Sequence, residues 1–308
     1  MALFDSIRED FRHILRNGNM VTRLVLVNFT VFVLVSIAYV ILWIALRGEG
    51  HYDMLWTGLD YLCMPADWRE LLWHPWTPIT SIFLHQSFWH ILSNMIWLFL
   101  FGNIVGDLVG DRRVLPLYVL GGLAGGVAYF ISANLFSFVG AHALGASAAV
   151  MALGGAALIL APDYRVMLIL LGEVKLKYIV LIMVLLDLVG FANQGNTGGH
   201  AAHMGGFLMG ILFVYRLRDG KDMSEPVNAV IETIRGWFTG RGRTPKKSRR
   251  QPQMAFKGAA KKAGPGSDHA ADPSFQEKLD AILDKIKQEG YDSLSAEEKE
   301  FLFNASKR

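Results

Sequence analysis

Six apolar runs divide the first 216 residues: Leu24–Leu46, then about 87–106, 114–136, 147–161, 178–191 and 199–215. The first carries no charge over a length that crosses a hydrocarbon core of roughly 30 Å, and the pattern predicts six membrane helices. Residues 47–86 behave differently, mixing Trp56, Trp68, Trp73 and Trp76 with Asp53, Asp60, Asp67, Glu70, Pro65, Pro75 and Pro78. This stretch is too polar and Pro-broken to span and too aromatic for a solvated loop, which predicts a segment at the membrane interface. Ahead of the first run, Phe4, Ile7, Phe11, Ile14 and Leu15 alternate at helical spacing with Arg8, Arg12 and Arg16. That is the pattern of an amphipathic surface helix, without a cleavable signal. Val227, Val230, Ile231, Ile234, Trp237 and Phe238 predict another surface helix after the last span. At the end, Leu279, Ile282, Leu283 and Ile286 form a stripe, Gly290 stops it, and Ser295 with Glu298 makes a capping box before Phe301. The expected architecture is an all-α polytopic membrane protein with a small cytoplasmic helical hairpin. Its expected segments are 1–20, 21–217, 218–272 and 273–308.

Composition sharpens this division. The 308-residue chain is 52% hydrophobic with mean hydropathy +0.31, averages that hide an apolar front and a charged tail. With Cys63 as the only cysteine, neither an intramolecular disulfide nor a thiolate metal cluster can form. Lys and Arg favour the cytoplasmic side of a membrane. Arg8, Arg12, Arg16 and Arg23 precede span 1, Arg112 and Arg113 separate spans 2 and 3, Arg165, Lys175 and Lys177 separate spans 4 and 5, and Arg216 and Arg218 follow span 6. The opposite loops, 137–146 and 192–198, have neither residue. Both termini are therefore expected in the cytoplasm, in a cell inner membrane. The linker with Arg241, Arg243, Lys246, Lys247, Arg249 and Arg250 is expected to touch anionic lipid, at about 1 kcal/mol per near-surface charge, and nucleic acid is not an expected partner.

Polar groups inside membrane helices are costly and mark partners or tasks. His90 and Asn94 in span 2, Ser147 in span 4 and His203 in span 6 stand out. His90 and Asn94 are four apart and share one helix face. Ser147 follows Gly145, which permits a sharp turn, and opens an Ala-rich helix; taken alone it reads as a small residue at a helix start. His203 changes that reading. His90 lies 17 residues before Asp107, Ser147 16 before Asp163, and His203 13 before Arg216. At 1.5 Å per residue all three sit roughly 20 to 25 Å above the cytoplasmic face. A neutral imidazole beside a hydroxyl is the minimum apparatus for a base-activated nucleophile, and His90 and Asn94 are candidate donors to the oxyanion formed on attack. Gly199, Gly206 and Gly210 give span 6 a smooth face suited to the Ala/Gly face of span 4.

Three segments also resemble the rhomboid family of intramembrane serine proteases: His85-Gln-Ser-Phe-Trp-His90-Ile-Leu-Ser-Asn94, Gly145-Ala-Ser147-Ala, and Ala202-His203-Met-Gly-Gly206-Phe-Leu-Met-Gly210. The resemblance covers roughly residues 20–217. It implies a six-transmembrane-helix rhomboid-like fold and a Ser147 and His203 dyad without a third acid. It also implies an oxyanion hole from His90, Asn94 and the Ser147 backbone, and transmembrane protein substrates cut near their outer membrane boundary. The closing hairpin resembles a tail domain of some rhomboids of Bacteroidetes-type bacteria. Three positions depart from the family pattern. Ala148 replaces the usual Gly, with a methyl expected to narrow the oxyanion site; Met151 replaces an aromatic; Trp76-Thr77 replaces a Trp-Arg pair. The alternative reading is a catalytically weak or inactive rhomboid-like protein that binds membrane clients.

The neighbouring polar residues receive narrower roles. His85 is expected to anchor the interfacial loop by hydrogen bonds, and His200 to flank the site entrance. His200 and His203 are one turn apart, but no HExxH pattern accompanies them, so neither a metal nor any other cofactor is expected. Asp187 can be read as a triad acid, but counting from Lys177 places it roughly 14 Å up, and loop backbone is its expected partner. A mobile gate is expected at span 5 and the 192–198 loop.

Overall fold

The computed structural model describes residues 18–168, 172–193, 196–239, 278–282, 284–286 and 293–305. The expected N-terminal amphipathic helix, the polybasic linker and the Gly290 stop lie outside them, apart from residues 18–20. Two compact units divide near residue 243.

The first unit is built on six long helices: α1 (Met20–Ala45), α5 (Phe88–Val109), α6 (Val114–Leu135), α7 (Ser147–Leu160), α8 (Leu176–Ala192) and α9 (Thr197–Arg218). Between α1 and α5 the interfacial segment folds into α2 (His51–Asp60), β1 (Met64–Pro65), α3 (Trp68–Trp73), α4 (Thr77–Thr80) and a 3-10 turn at Ser81–Phe83. Strand β2 (His142–Ala143) precedes α7, strands β3 (Arg165–Leu168) and β4 (Gly172–Lys175) form an antiparallel hairpin between α7 and α8, and α10 (Ser224–Thr239) follows α9. By length and composition α1, α5 and the segment Asp111–Leu135 suffice to cross a membrane, and α7 is a shorter apolar helix. Large apolar side chains point outward all around the bundle, among them Leu34, Phe99, Ile131 and Leu186, each more than half exposed. A water-soluble domain hides such surface, whereas in lipid it costs nothing. The chain is a multi-pass membrane protein.

Helix α7 is the axis of the bundle. All ten residues from Ala148 to Ala157 are buried, packed by α9, α6 and α5. Its small side chains allow this. A Cβ added at Gly206 would run into the carbonyl oxygen of Ala148, and one at Gly210 into that of Ala152, so α9 touches the α7 backbone directly. Gly121 and Gly125 bring α6 equally close to Ala152 and Ala148. At 14 residues α7 is only ~21 Å long, short of the roughly 30 Å core. Its first residue, Ser147, therefore starts below one membrane face, and the loop before it must dip inward.

Three ties hold that loop. Strand β2 pairs antiparallel with β1, Ala143 opposite Met64 and His142 opposite Pro65. The Tyr129 hydroxyl donates to the Gly140 carbonyl at 2.7 Å, and the Gly145 amide donates to the Ser81 carbonyl at 2.9 Å. Gly145 takes φ +125°, a left-handed value that favours glycine. At the other end of the bundle, Arg113 bonds Asp222 through Nε and Nη2, at 2.9 and 2.8 Å, and joins the α5–α6 turn to the segment after α9. Burial opposes ionisation of Asp222, yet donors from Ser224 and Arg113 outweigh it and hold the carboxyl below the usual carboxylate range.

The second unit contains helical residues 278–282 and 284–286 and helix α11 (Ala296–Ala305). The capping box is formed reciprocally: the Ser295 amide donates to Glu298 Oε2 at 2.7 Å, and the Glu298 amide to Ser295 Oγ at 3.3 Å. Lys285 adds an ion pair to Glu298 at 3.0 Å.

Two stability outcomes follow. Gly206→Val drives a branched side chain into the α7 backbone and should cost about 3 kcal/mol or more, the upper range of overpacking. Gly58→Ala, in open space, should be neutral, both read by unfolding in detergent. Asp222→Asn should cost about 1.5–3 kcal/mol at pH 7, the value of a hydrogen bond to a charged group. Because the folded Asp222 pKa is lowered, the wild type's advantage should be complete above the usual carboxylate pKa and disappear as pH falls through the folded value.

Candidate active site

Ser147, His203, His90 and Asn94 line one cavity of about 580 Å³, with Met151 and Asp187 also on its wall. Four helices supply it. α7 contributes Ser147 as its first residue, α9 contributes His203 in its second turn, α5 contributes His90 and Asn94 on one face, and α8 contributes Asp187.

Around Ser147 the geometry follows from the missing side chain of Gly145. A Cβ there would stand 2.9 Å from His90 Nε2 and 3.6 Å from Ser147 Oγ, so the imidazole edge occupies the space beside the hydroxyl. The Gln86 amide donates to His90 Nδ1 at 3.5 Å, which assigns the ring proton to Nε2, the nitrogen facing Gly145. One N–H of the buried Asn94 amide goes to the His90 carbonyl at 2.8 Å, leaving a second for the cavity. The Ser147 amide, at the first position of α7, is among the N–H groups that a helix start leaves without an intrahelical acceptor. Three potential donors thus border the cavity that holds the serine.

His203 Nδ1 lies 2.7 Å from Asp187 Oδ1, and His200 Nδ1 lies 2.7 Å from the same oxygen. This corrects two expectations: the partners of Asp187 are imidazoles rather than loop backbone, and His200 turns to Asp187 instead of flanking the entrance. Counting residues measures depth along each helix's own axis, and tilt between helices with side-chain reach closes a gap of a few ångströms. The three donor atoms lie within 4.8 Å of one another, the compactness that a metal ion requires. The 2.7 Å separations are shorter than the roughly 3.3 Å between ligand atoms around a tetrahedral zinc, however, and suit shared protons better.

Two further expectations are corrected. His85 is buried, with only a loose contact to the Phe83 backbone and no well-formed hydrogen bond among the described residues; it packs edge-on against His90, ring centroids 5.1 Å apart. Burial pushes its pKa down to about 4, with His90 adding to the effect and the Phe83 backbone opposing it, so His85 is a neutral wall for His90 rather than a loop anchor. The Ala148 methyl does not point into the cavity beside Ser147. It points at α6, where a Cβ on Gly125 would collide with it. Met151 is on the cavity wall, while Gly206 and Gly210 act in helix packing and carry no chemistry.

The sequence singles out Asp187 but suggests the wrong partner, although a carboxylate in an uncharged span is expensive enough to demand one close by.

Two segments of the chain match known families. Residues 72–220 match the Rhomboid domain, and residues 274–308 match a family of unknown function, DUF6576. The chain is 29% identical over 208 residues to the putative rhomboid protease YdcA of Bacillus subtilis, covering 66% of this chain and 96% of that protein. It is 30% identical to the mitochondrial Rhomboid protein 1 of Saccharomyces cerevisiae, over 44% of this chain and 40% of the relative. To RHOMBOID-like protein 5 of Arabidopsis thaliana it is 34% identical, over 46% and 45%. The chain thus spans nearly all of the bacterial relative and under half of the other two. The segment that carries all four cavity residues, 72–220, is a Rhomboid domain.

Proposed function

We propose that this chain is an active intramembrane serine protease that cuts transmembrane proteins near the outer membrane boundary. Rhomboid-family proteins are generally intramembrane proteases. The observation that carries the finer reading is the convergence of Ser147, His203, His90 and Asn94 on one cavity at the buried start of α7.

The steps follow from the donors and acceptors present. Ser147 Oγ attacks the scissile carbonyl while its proton passes to His203 Nε2. The carbonyl oxygen becomes an oxyanion among His90 Nε2–H, the free Asn94 N–H and the Ser147 amide. Collapse breaks the C–N bond, the amine leaves with the proton from His203, and water, activated by the same nitrogen, hydrolyses the acyl-enzyme. A serine starting roughly 10 Å below the membrane face is reached by water only through the cavity, which fits a reaction confined to substrates that enter from the bilayer.

The charge distribution supports a bacterial inner membrane with both termini cytoplasmic, which puts the cavity end of the bundle on the outer side. The boundaries 1–20, 21–217, 218–272 and 273–308 remain part of this proposal, as does anionic lipid at the polybasic linker.

The test is cleavage of a single-pass membrane substrate panel by the full chain in lipid. Wild type should cut, and Ser147→Ala and His203→Ala should both be inactive while keeping the wild-type melting temperature. His90→Ala and Asn94→Ala should each lower kcat by about 10² to 10³, the usual cost of one oxyanion donor. A folded wild type that neither cuts nor labels at Ser147 with a serine-directed probe would sink the protease reading.

A further inference from the structure

We infer that Asp187 and His200 form a positioning clamp for His203, so that the general base is correctly set only while α8 lies against α9. The inference rests on the proposed role of His203 and adds a third and a fourth residue to it.

With Asp187 ionised, the carboxylate has no proton to give, so both Nδ1 atoms at 2.7 Å from Oδ1 carry one. That assigns the Nδ1–H tautomer to His203 and leaves a lone pair on Nε2, the atom required to take the Ser147 proton. Without the carboxylate, His203 is free to place its proton on Nε2, where it cannot act as a base.

The role of His200 follows from α8. Gly190 lies one turn after Asp187 on the same face, and a Cβ there would collide with the His200 ring. The surface of α8 therefore offers His200 an acceptor and a recess together, the signature of a seat rather than a chance contact. The two imidazole rings lie nearly perpendicular to one another, 88° between planes with centroids 5.9 Å apart, and both reach the same oxygen of Asp187. Asp187 is buried, and its only ion-pair partners among the described residues are these two histidines.

Position makes the clamp consequential. Helix α8 packs chiefly on α9 and only lightly on α7, while Leu181, Ile182, Leu185 and Leu188 face outward. Apolar side chains facing lipid hold no register, whereas charge-assisted hydrogen bonds in a low-dielectric setting do. Displacement of α8 from α9 removes Asp187 from His203, so the base is disarmed in any arrangement that opens this seam and restored when it closes.

The decisive measurement uses the full chain in lipid with ¹⁵N-labelled histidine. His203 should show its proton on Nδ1 in the wild type and a shift toward Nε2–H in Asp187→Asn. In turnover, Asp187→Asn should lower kcat by about 10² to 10⁴ with KM within about twofold, as when a triad acid is lost. His200→Ala should lower kcat about tenfold in the wild type but add no further loss to Asp187→Asn, because the two act through one bond network. A purely structural His200 would lower both backgrounds equally and overturn its part in the clamp. A wild-type His203 proton on Nε2, read without any substitution at Asp187, overturns the inference even if the variants fail to fold. A wild type that cuts, with Ser147→Ala inactive and Asp187→Asn at full kcat, overturns it as well and leaves the protease reading standing. No cleavage by wild type under any condition is the separate failure of that reading.

Discussion

Direct contact between the backbones of α7 and α9 is the constraint from which the rest of this structure follows. In a bilayer there is little hydrophobic drive to bring helices together, so association relies on close packing. Gly206 and Gly210 supply it by lying on the carbonyls of Ala148 and Ala152, and Gly121 and Gly125 repeat the arrangement from α6. Side chains one turn along from these contacts have few choices of position. His203 lies one turn before Gly206, and Ser147 directly precedes Ala148, so the contact that holds the bundle together also delivers the imidazole and the hydroxyl to one cavity.

The second organising feature is the shortness of α7. A full-length helix would bring its first residue to the membrane face; one of 14 residues leaves a gap that an inward-dipping loop fills. That loop is pinned to the interfacial segment by β1–β2, to Ser81 and to Tyr129, so its backbone is spoken for before it reaches Gly145. The aromatic, Pro-broken stretch 47–86 therefore has a purpose beyond sitting at an interface. It is the wall against which the approach to Ser147 is built, and its end brings His85 against His90.

The histidines divide by surroundings rather than by sequence distance. His85 is buried without a well-formed hydrogen bond among the described residues and is held neutral, its pKa about 4. His90 is turned by the Gln86 amide so that its other nitrogen faces Gly145, and His200 and His203 share one carboxylate oxygen. Four similar side chains within one family-like region thus have three different proton arrangements, each decided by what the partner atom donates or accepts.

How much of this was legible in the chain depends on whether the information was local. Hydrophobic runs with their flanking charges predicted six helices, because the bilayer sets a length that apolar residues must match. The shared depth of His90, Ser147 and His203 came from counting along single helices. The glycine face of span 6 predicted where two backbones would meet, and Ser295 with Glu298 announced a capping box. The tertiary structure decided everything that depends on direction. Ala148 reads as an intruder in the oxyanion region until the fold turns its methyl toward Gly125. His85 reads as a hydrogen-bonding anchor until the fold buries it against the ring of His90. Asp187 reads as too low for His203 because residue counting knows depth along an axis but not the tilt of one helix against another, and only the packed bundle brings that carboxylate to two imidazoles at once.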